Sequence, residues 1–161
     1  MAQSHEISMP SAIWTDLVAE LARRGSGVRE SGAFLLGSIY SGRREVMAFI
    51  PYDELEPGCL DAGYINFTSI GYRKLWRLLK ECGLQVVGDI HTHPGKPIQS
   101  HIDRDNPMMP NVGHIALILA NYAQKHPMPS DAALYIFKGS QLWESYKPGQ
   151  SKQKFYVGFW S

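Results

Sequence analysis

The sequence predicts a mixed α/β (α+β) fold: a β-sheet flanked by helices, in a single domain. Three observations carry that prediction. Two segments place apolar residues at helical spacing, and six or more short runs read as strands. Two of those runs, 33–40 and 114–120, are apolar almost throughout, as strands buried on both faces are. A sheet covered on both faces needs helices against it. At 161 residues the chain has the size of one domain, and it can bury roughly 70% of its unfolded surface without disulfide support.

Taken in order, residues 5–9 are expected to form a short first strand. Pro10 suits the first turn of a helix, where its missing N–H costs nothing. Ile13, Leu17 and Leu21 recur every four residues, with Trp14 and Val18 beside them. They form one apolar face of an amphipathic helix, which Gly25 and Gly27 end. Residues 33–40, AFLLGSIY, are a buried strand. Ser41-Gly42 reads as a turn, residues 45–50 as the returning strand of a hairpin, and Pro51 closes it. Residues 51–63 hold two prolines, two glycines and four acids, and read as a surface loop. Thr68 fits the N-cap of a second helix, in which Tyr72, Leu75, Trp76, Leu79 and Cys82 share helical spacing. Gly83 fits the position just past its end. Residues 84–91 and 114–120 are further strands, and 132–138 with 141–147 form a hairpin around Gly139-Ser140. The stretch 147–154, KPGQSKQK, is polar and expected to be mobile. Residues 155–160, FYVGFW, are too apolar to hang in water and form either a last strand or a docked tail.

Composition narrows the function classes. Hydrophobic content of 44% and charged content of 19% argue against extensive disorder. Net charge is +1; Arg23-Arg24 and Arg43-Arg44 read as isolated pairs, no basic stripe is read among aromatics, and no nucleic-acid contact is expected. Cys59 and Cys82 form no C-x-x-C pair, which points to a reducing compartment. The N-terminus lacks the charged and apolar regions of a signal peptide, and no apolar run approaches the roughly 18 residues of a membrane helix. A soluble cytoplasmic protein without membrane contact is expected.

Chemistry concentrates in residues 88–103, GDIHTHPGKPIQSHID. In a strand, residues i and i+2 share a face, so His91 and His93 project together and Thr92 points away. Pro94, Gly95 and Pro97 break regular structure, and Ser100 and Asp103 follow three apart. His91, His93 and Asp103 would supply three corners of a tetrahedral zinc site and leave the fourth open, as catalytic rather than structural zinc sites do. Two neutral imidazoles and one carboxylate leave about one net positive charge, which lowers the pKa of a bound water toward ~7 and can polarise a carbonyl.

Such a site needs a general base. Glu30, at the mouth of the 33–40 strand, leads; Glu45 and Asp89 are weaker candidates. Asp89 shares a face with His91 and can instead orient it. Ser100 could donate a hydrogen bond to an oxyanion. It could equally cap a short helix with Asp103 in its first turn. His5, His101, His114 and His126 have no comparable setting and read as structural or exposed.

At these residues the sequence resembles the JAMM/MPN+ (JAB domain) zinc metalloproteases. Their signature is a glutamate on an early strand, then His-x-His-Pro, a spacer, and Ser-x-x-Asp. Here Glu30 in ESGAFLLG, with Gly32, Leu35 and Gly37, is similar to the first part; His91, His93 and Pro94 to the second; Ser100 and Asp103 to the third. The resemblance implies an MPN/JAB fold over about residues 5–147. It implies one zinc per chain on His91, His93 and Asp103, Glu30 as general base and acid, and Ser100 at the oxyanion. It implies hydrolysis of the peptide or isopeptide bond at the C-terminus of a ubiquitin-like modifier, in deconjugation or precursor trimming. One departure is the spacer GKPIQ, five residues where the family has six or so, which keeps Asp105 as a fallback ligand. The segment after Asp103 is short, so no linkage specificity is carried over. The compact chain looks most like stand-alone bacterial JAB proteins. Some of these are encoded in operons with ubiquitin-like activating and conjugating enzymes, including antiphage systems, and others process sulfur carriers. Two other readings stay open: a non-catalytic MPN-type scaffold, and a metallohydrolase of small amides.

Overall fold

In the computed structural model, which describes residues 5–159, the chain forms one mixed eight-stranded sheet. The elements run β1 (Ile7–Pro10), α1 (Ser11–Gly25), β2 (Gly32–Tyr40), β3 (Arg43–Pro51), α2 (Tyr52–Leu55), α3 (Ser69–Cys82), β4 (Gln85–Thr92), α4 (His101–Asp105), β5 (Ile115–Leu119), β6 (Ala133–Gly139), β7 (Leu142–Tyr146) and β8 (Phe155–Gly158). Strand order is β7-β6-β5-β4-β2-β3-β1-β8. The β2/β3 and β6/β7 pairs are antiparallel hairpins, while β4 and β5 run parallel, as do β1 and its neighbours β3 and β8.

Side chains of β2 alternate between two core layers. Ala33 and Leu35 join Trp14, Leu17 and Leu21 of α1 on one face; Phe34 and Leu36 join Leu75 of α3 on the other. The long helices therefore cover opposite faces of the sheet, as a strand apolar throughout requires. The Thr68 hydroxyl caps α3 by accepting from the Ile70 N–H, and Gly83 ends it at φ 71°, in the left-handed region that glycine occupies without a Cβ clash.

Several expectations need correction. Residues 51–63 are not a surface loop: Tyr52, Leu55, Cys59 and Leu60 are buried in the α3-side core, Tyr52 and Leu55 on α2. The acids misled because they alternate with those apolar residues and face outward in part. Residues 147–154 make local hydrogen bonds. Gly149 N–H donates to Ser130 O (2.8 Å), Gln150 N–H to Lys147 O (2.8 Å), and Ser151 is fully buried in a short 3-10 turn. Of the apolar end, 155–158 is a last strand, β8; Trp160 lies outside the described residues. A basic stripe does lie among aromatics, on α3, where Arg73, Lys74, Arg77 and Lys80 are exposed beside Tyr72 and Trp76. Among the described residues, no helix is long and apolar enough to cross a membrane.

Candidate metal centre

Strand β4 lies in the interior of the sheet, between β2 and β5, so its end is held from both sides. His91 stands opposite Gly32 of β2 and Ile118 of β5. Gly32 is required there: a Cβ would come 2.4 Å from Tyr52 Cε2 and 2.8 Å from Ile90 O. Thr92 points the other way, its hydroxyl accepting from the Ser31 N–H at 3.0 Å. His93, one residue past the strand, stays fixed because its N–H donates to Leu119 O (2.9 Å) and its C=O accepts from Tyr122 N–H (2.9 Å). The alternation rule thus holds through the strand's end, and the two imidazoles meet, Nε2 to Nε2, at 3.1 Å.

The five-residue spacer is tied down from an unexpected direction. The Tyr135 hydroxyl, on β6, donates to Pro97 O (3.0 Å) and accepts from the Gln99 N–H (3.2 Å). One side chain therefore clamps the loop at both ends of its second half. The chain then enters α4 through a reciprocal capping box. Ser100 Oγ accepts from Asp103 N–H (3.1 Å), and Asp103 Oδ2 accepts from Ser100 N–H (2.8 Å). The same Oδ2 lies 3.1 Å from His93 Nε2, and Oδ1 lies 3.5 Å from His91 Nε2. Capping and ligation are alternatives in the sequence; in the structure the capped carboxylate also faces both histidines.

His91, His93 and Asp103 form a group whose ligand atoms all lie within 4.8 Å of one another, and it could hold a metal ion. The fit can be tested on the spacing. A tetrahedral ion with bonds of ~2.0–2.1 Å places neighbouring ligand atoms about 3.3 Å apart. The two Nε2 atoms match that spacing at 3.1 Å, and each faces one oxygen of Asp103, His93 at 3.1 Å from Oδ2 and His91 at 3.5 Å from Oδ1. Both histidines are buried, while Asp103 reaches the surface through a side chain 23% exposed.

Electrostatics point the same way. Burial pushes Asp103 up, but His91 and His93 outweigh it and hold the carboxylate well below the usual range. Burial pushes His91 down, but hydrogen bonding to Asp103 and Asp89 prevails and raises it to about 10. Without an ion, the carboxylates recruit a proton; a cation at the same point would serve them instead.

Asp89 completes the support behind His91. It is buried, with Oδ1 4.0 Å from His91 Nδ1 and Oδ2 2.6 Å from His114 Nε2. Burial raises its pKa, and His114 and His91 pull it net downward. Asp89 is thus committed to His114 and stands behind the His91 ring, where it is not a free base. His114 is structural, as expected, but its partner was not foreseen. The only sequence cue was a histidine abutting an apolar strand.

Glu30 lies just before β2, half-buried, its N–H donating to Gly63 O (2.9 Å). It lines a cleft of about 800 Å³ together with His91, Ser100 and Asp103. Burial raises its pKa; the nearby His91 and His93 oppose that shift without cancelling it. The structure therefore brings Glu30, His91, His93, Ser100 and Asp103 to one place. It does not bring Glu45, which is exposed on β3 opposite Ser38, six residues along β2 from Gly32 and so roughly 20 Å away. Asp105 lines the cleft but is outside the ligand group, so no fallback is needed. His101 and His126 are exposed, and His5 packs against Tyr156.

No family model matches the chain. Among solved structures it is similar to the solution structure of a protein from Desulfitobacterium hafniense, at 17% identity over 94% of this chain and 92% of that one, with a TM-score of 0.65. It is also similar to the solution structure of a Salinibacter ruber (strain DSM 13855) protein, at 20% identity over 87% of each chain, with a TM-score of 0.57. At these identities the likeness concerns the fold, a mixed α+β domain.

Proposed function

We propose that this chain is a zinc-dependent metallopeptidase of the JAMM/MPN+ type with a JAB-like fold. It hydrolyses the peptide or isopeptide bond at the C-terminus of a ubiquitin-like modifier. The observation that carries the reading is the convergence of Glu30 with His91 and Asp103 in one open cleft, with His93 beside them in the ligand group. A scaffold would have no use for a half-buried acid beside a ligand triad.

Zinc held by His91, His93 and Asp103 would supply a Lewis acid that polarises the scissile carbonyl and acidifies water. The chain's own residues do the rest. Glu30, with its raised pKa, accepts a proton from the attacking water and then delivers it to the departing amine. The products are a carboxylate and an amine, with no covalent enzyme intermediate. Ser100 spends its acceptor lone pair on the Asp103 N–H, which leaves its O–H proton free to donate to the oxyanion. Asp89 sets a negative charge 4.0 Å behind the His91 ring, and the Tyr135 clamp fixes the loop that carries Ser100. The cleft walls, among them Tyr64, Phe67, Ile102 and Trp143, suit an extended apolar-rich tail.

On this reading the protein acts in the cytoplasm on a ubiquitin-like protein or its conjugate, in a setting such as an antiphage system that encodes activating and conjugating enzymes. The test is hydrolysis of C-terminal amide fusions of ubiquitin-like proteins. Turnover should vanish on chelation and return with zinc, and Glu30→Gln should be inactive while still metal-loaded. Full activity in metal-free protein or in Glu30→Gln overturns the reading.

A further inference from the structure

Helix α3 carries a feature that the metal centre does not use. Its outer face presents Arg73, Arg77 and Lys80 at spacings of four and three, with Lys74 alongside. All four are exposed, and none has an acidic partner among the described residues. Arg24 on α1, by contrast, is ringed by Glu20, Asp53 and Glu54. Like charges four apart, such as Arg73 and Arg77, cost a helix stability, and the helix holds a single acid, Glu81. Two large apolar side chains flank the cations, Ile70 at 53% exposed and Trp76 at 47%. Trp76 stacks on Tyr72, and Tyr72 lines the metal-centre cleft with its hydroxyl bonded to Met108 O. The cationic and apolar face therefore reaches the rim of the cleft.

We infer that the outer face of α3 docks an acidic, partly apolar protein surface on the macromolecule whose scissile segment enters the cleft. The cleft's occupant rests on the peptidase reading above; the docking face rests on α3 alone. Unpaired cations around an exposed tryptophan and isoleucine are the composition of a protein interface, where charge steers the encounter and an aromatic anchors it. Nucleic acid fits less well. Four cations on one helix offer few phosphate contacts, the whole chain carries a net charge of only +1, and an aliphatic side chain has no role against phosphate.

The test is binding without turnover. The probe is a labelled glutamate-rich peptide with interspersed leucine and phenylalanine, followed by fluorescence anisotropy on the full chain. A lysine-rich peptide and an oligothymidylate serve as controls. The glutamate-rich peptide should bind saturably and more weakly as salt rises. Arg73→Glu/Arg77→Glu/Lys80→Glu should lose at least roughly tenfold in affinity, the effect of removing three exposed charge contacts. The same charge change at Lys125, Lys147 and Lys152 on other loops should lose little. Trp76→Ala should weaken binding with the salt dependence kept. Equal binding by the α3 triple variant, no saturable binding by the native chain, or tighter binding of the oligothymidylate overturns the inference. Repeating the titration after chelation separates the two readings. Peptide binding retained in a chain that never hydrolyses an amide overturns the peptidase and leaves the docking face. Zinc-dependent hydrolysis without peptide binding does the reverse.

Discussion

Replacing Ser100 with alanine separates two things that one hydroxyl does. The Ser100 Oγ accepts from Asp103 N–H at 3.1 Å and so closes the capping box of α4. Losing an N-cap acceptor costs about 1 kcal/mol. Helix α4 has only five residues and no buried side chain, far below the length at which a helix holds itself. The cost therefore falls locally, on the segment that aims Asp103. Metal binding needs α4 formed, whereas the free protein can let it fray, so the loss should appear in affinity: about fivefold for ~1 kcal/mol. If Ser100 also donates to the oxyanion, kcat of the metal-saturated enzyme should fall a further ~10²–10³-fold. Competition against a chromophoric chelator reads the first effect, and turnover at saturating zinc reads the second. Ser100→Thr should restore affinity, because threonine caps nearly as well. Metal affinity in Ser100→Ala unchanged within about twofold would refute the claim that the cap aims the ligand.

Other outcomes follow from the same geometry. Asp89→Asn should bind zinc about 10–100-fold more weakly, because it loses the carboxylate behind His91; isothermal titration checks this, and wild-type affinity would remove Asp89 from the account. If Glu30 works as the deprotonated base, its pKa being raised by burial, activity is present above that pKa and lost as pH falls through it. The acid limb of kcat/KM should therefore lie above the ordinary carboxylate value of about 4.3, and a limb at or below it would contradict the assignment. Cys59 is buried, with its thiol pushed up to about 12 by burial first, while Cys82 is exposed. The native protein should show one fast-reacting thiol near neutral pH, abolished by Cys82→Ser; two equally fast thiols would place Cys59 wrongly.

The parts of the site that were legible in sequence were those governed by local geometry. Strand alternation alone put His91 and His93 on one face. A threonine before a helical pattern and a glycine after it marked the ends of α3. Asp103 is harder, because three-residue spacing serves a capping box and a ligand equally, and only the structure shows the capping carboxylate facing both histidines. The contributions of Tyr135 and His114 were invisible for a different reason. Their partners lie 36 to 38 and 25 residues away, and strand order, not spacing, brings them together. Residues 51–63 were misread because prolines, glycines and acids outweighed Tyr52, Leu55, Cys59 and Leu60, whose spacing belongs to no single period. The basic face of α3 was overlooked because its cations are interleaved with core residues in the sequence and separate from them only on a helix.

The central claim is that His91, His93 and Asp103 hold a catalytic zinc ion. It is tested most directly by metal analysis of the purified full chain beside His93→Ala and Asp103→Ala. One zinc per native chain is expected, removable by chelator and rebound in equal amount, with none retained at stoichiometry by either variant. A native chain without stoichiometric zinc after zinc loading, or variants that hold as much as the native chain, would contradict it.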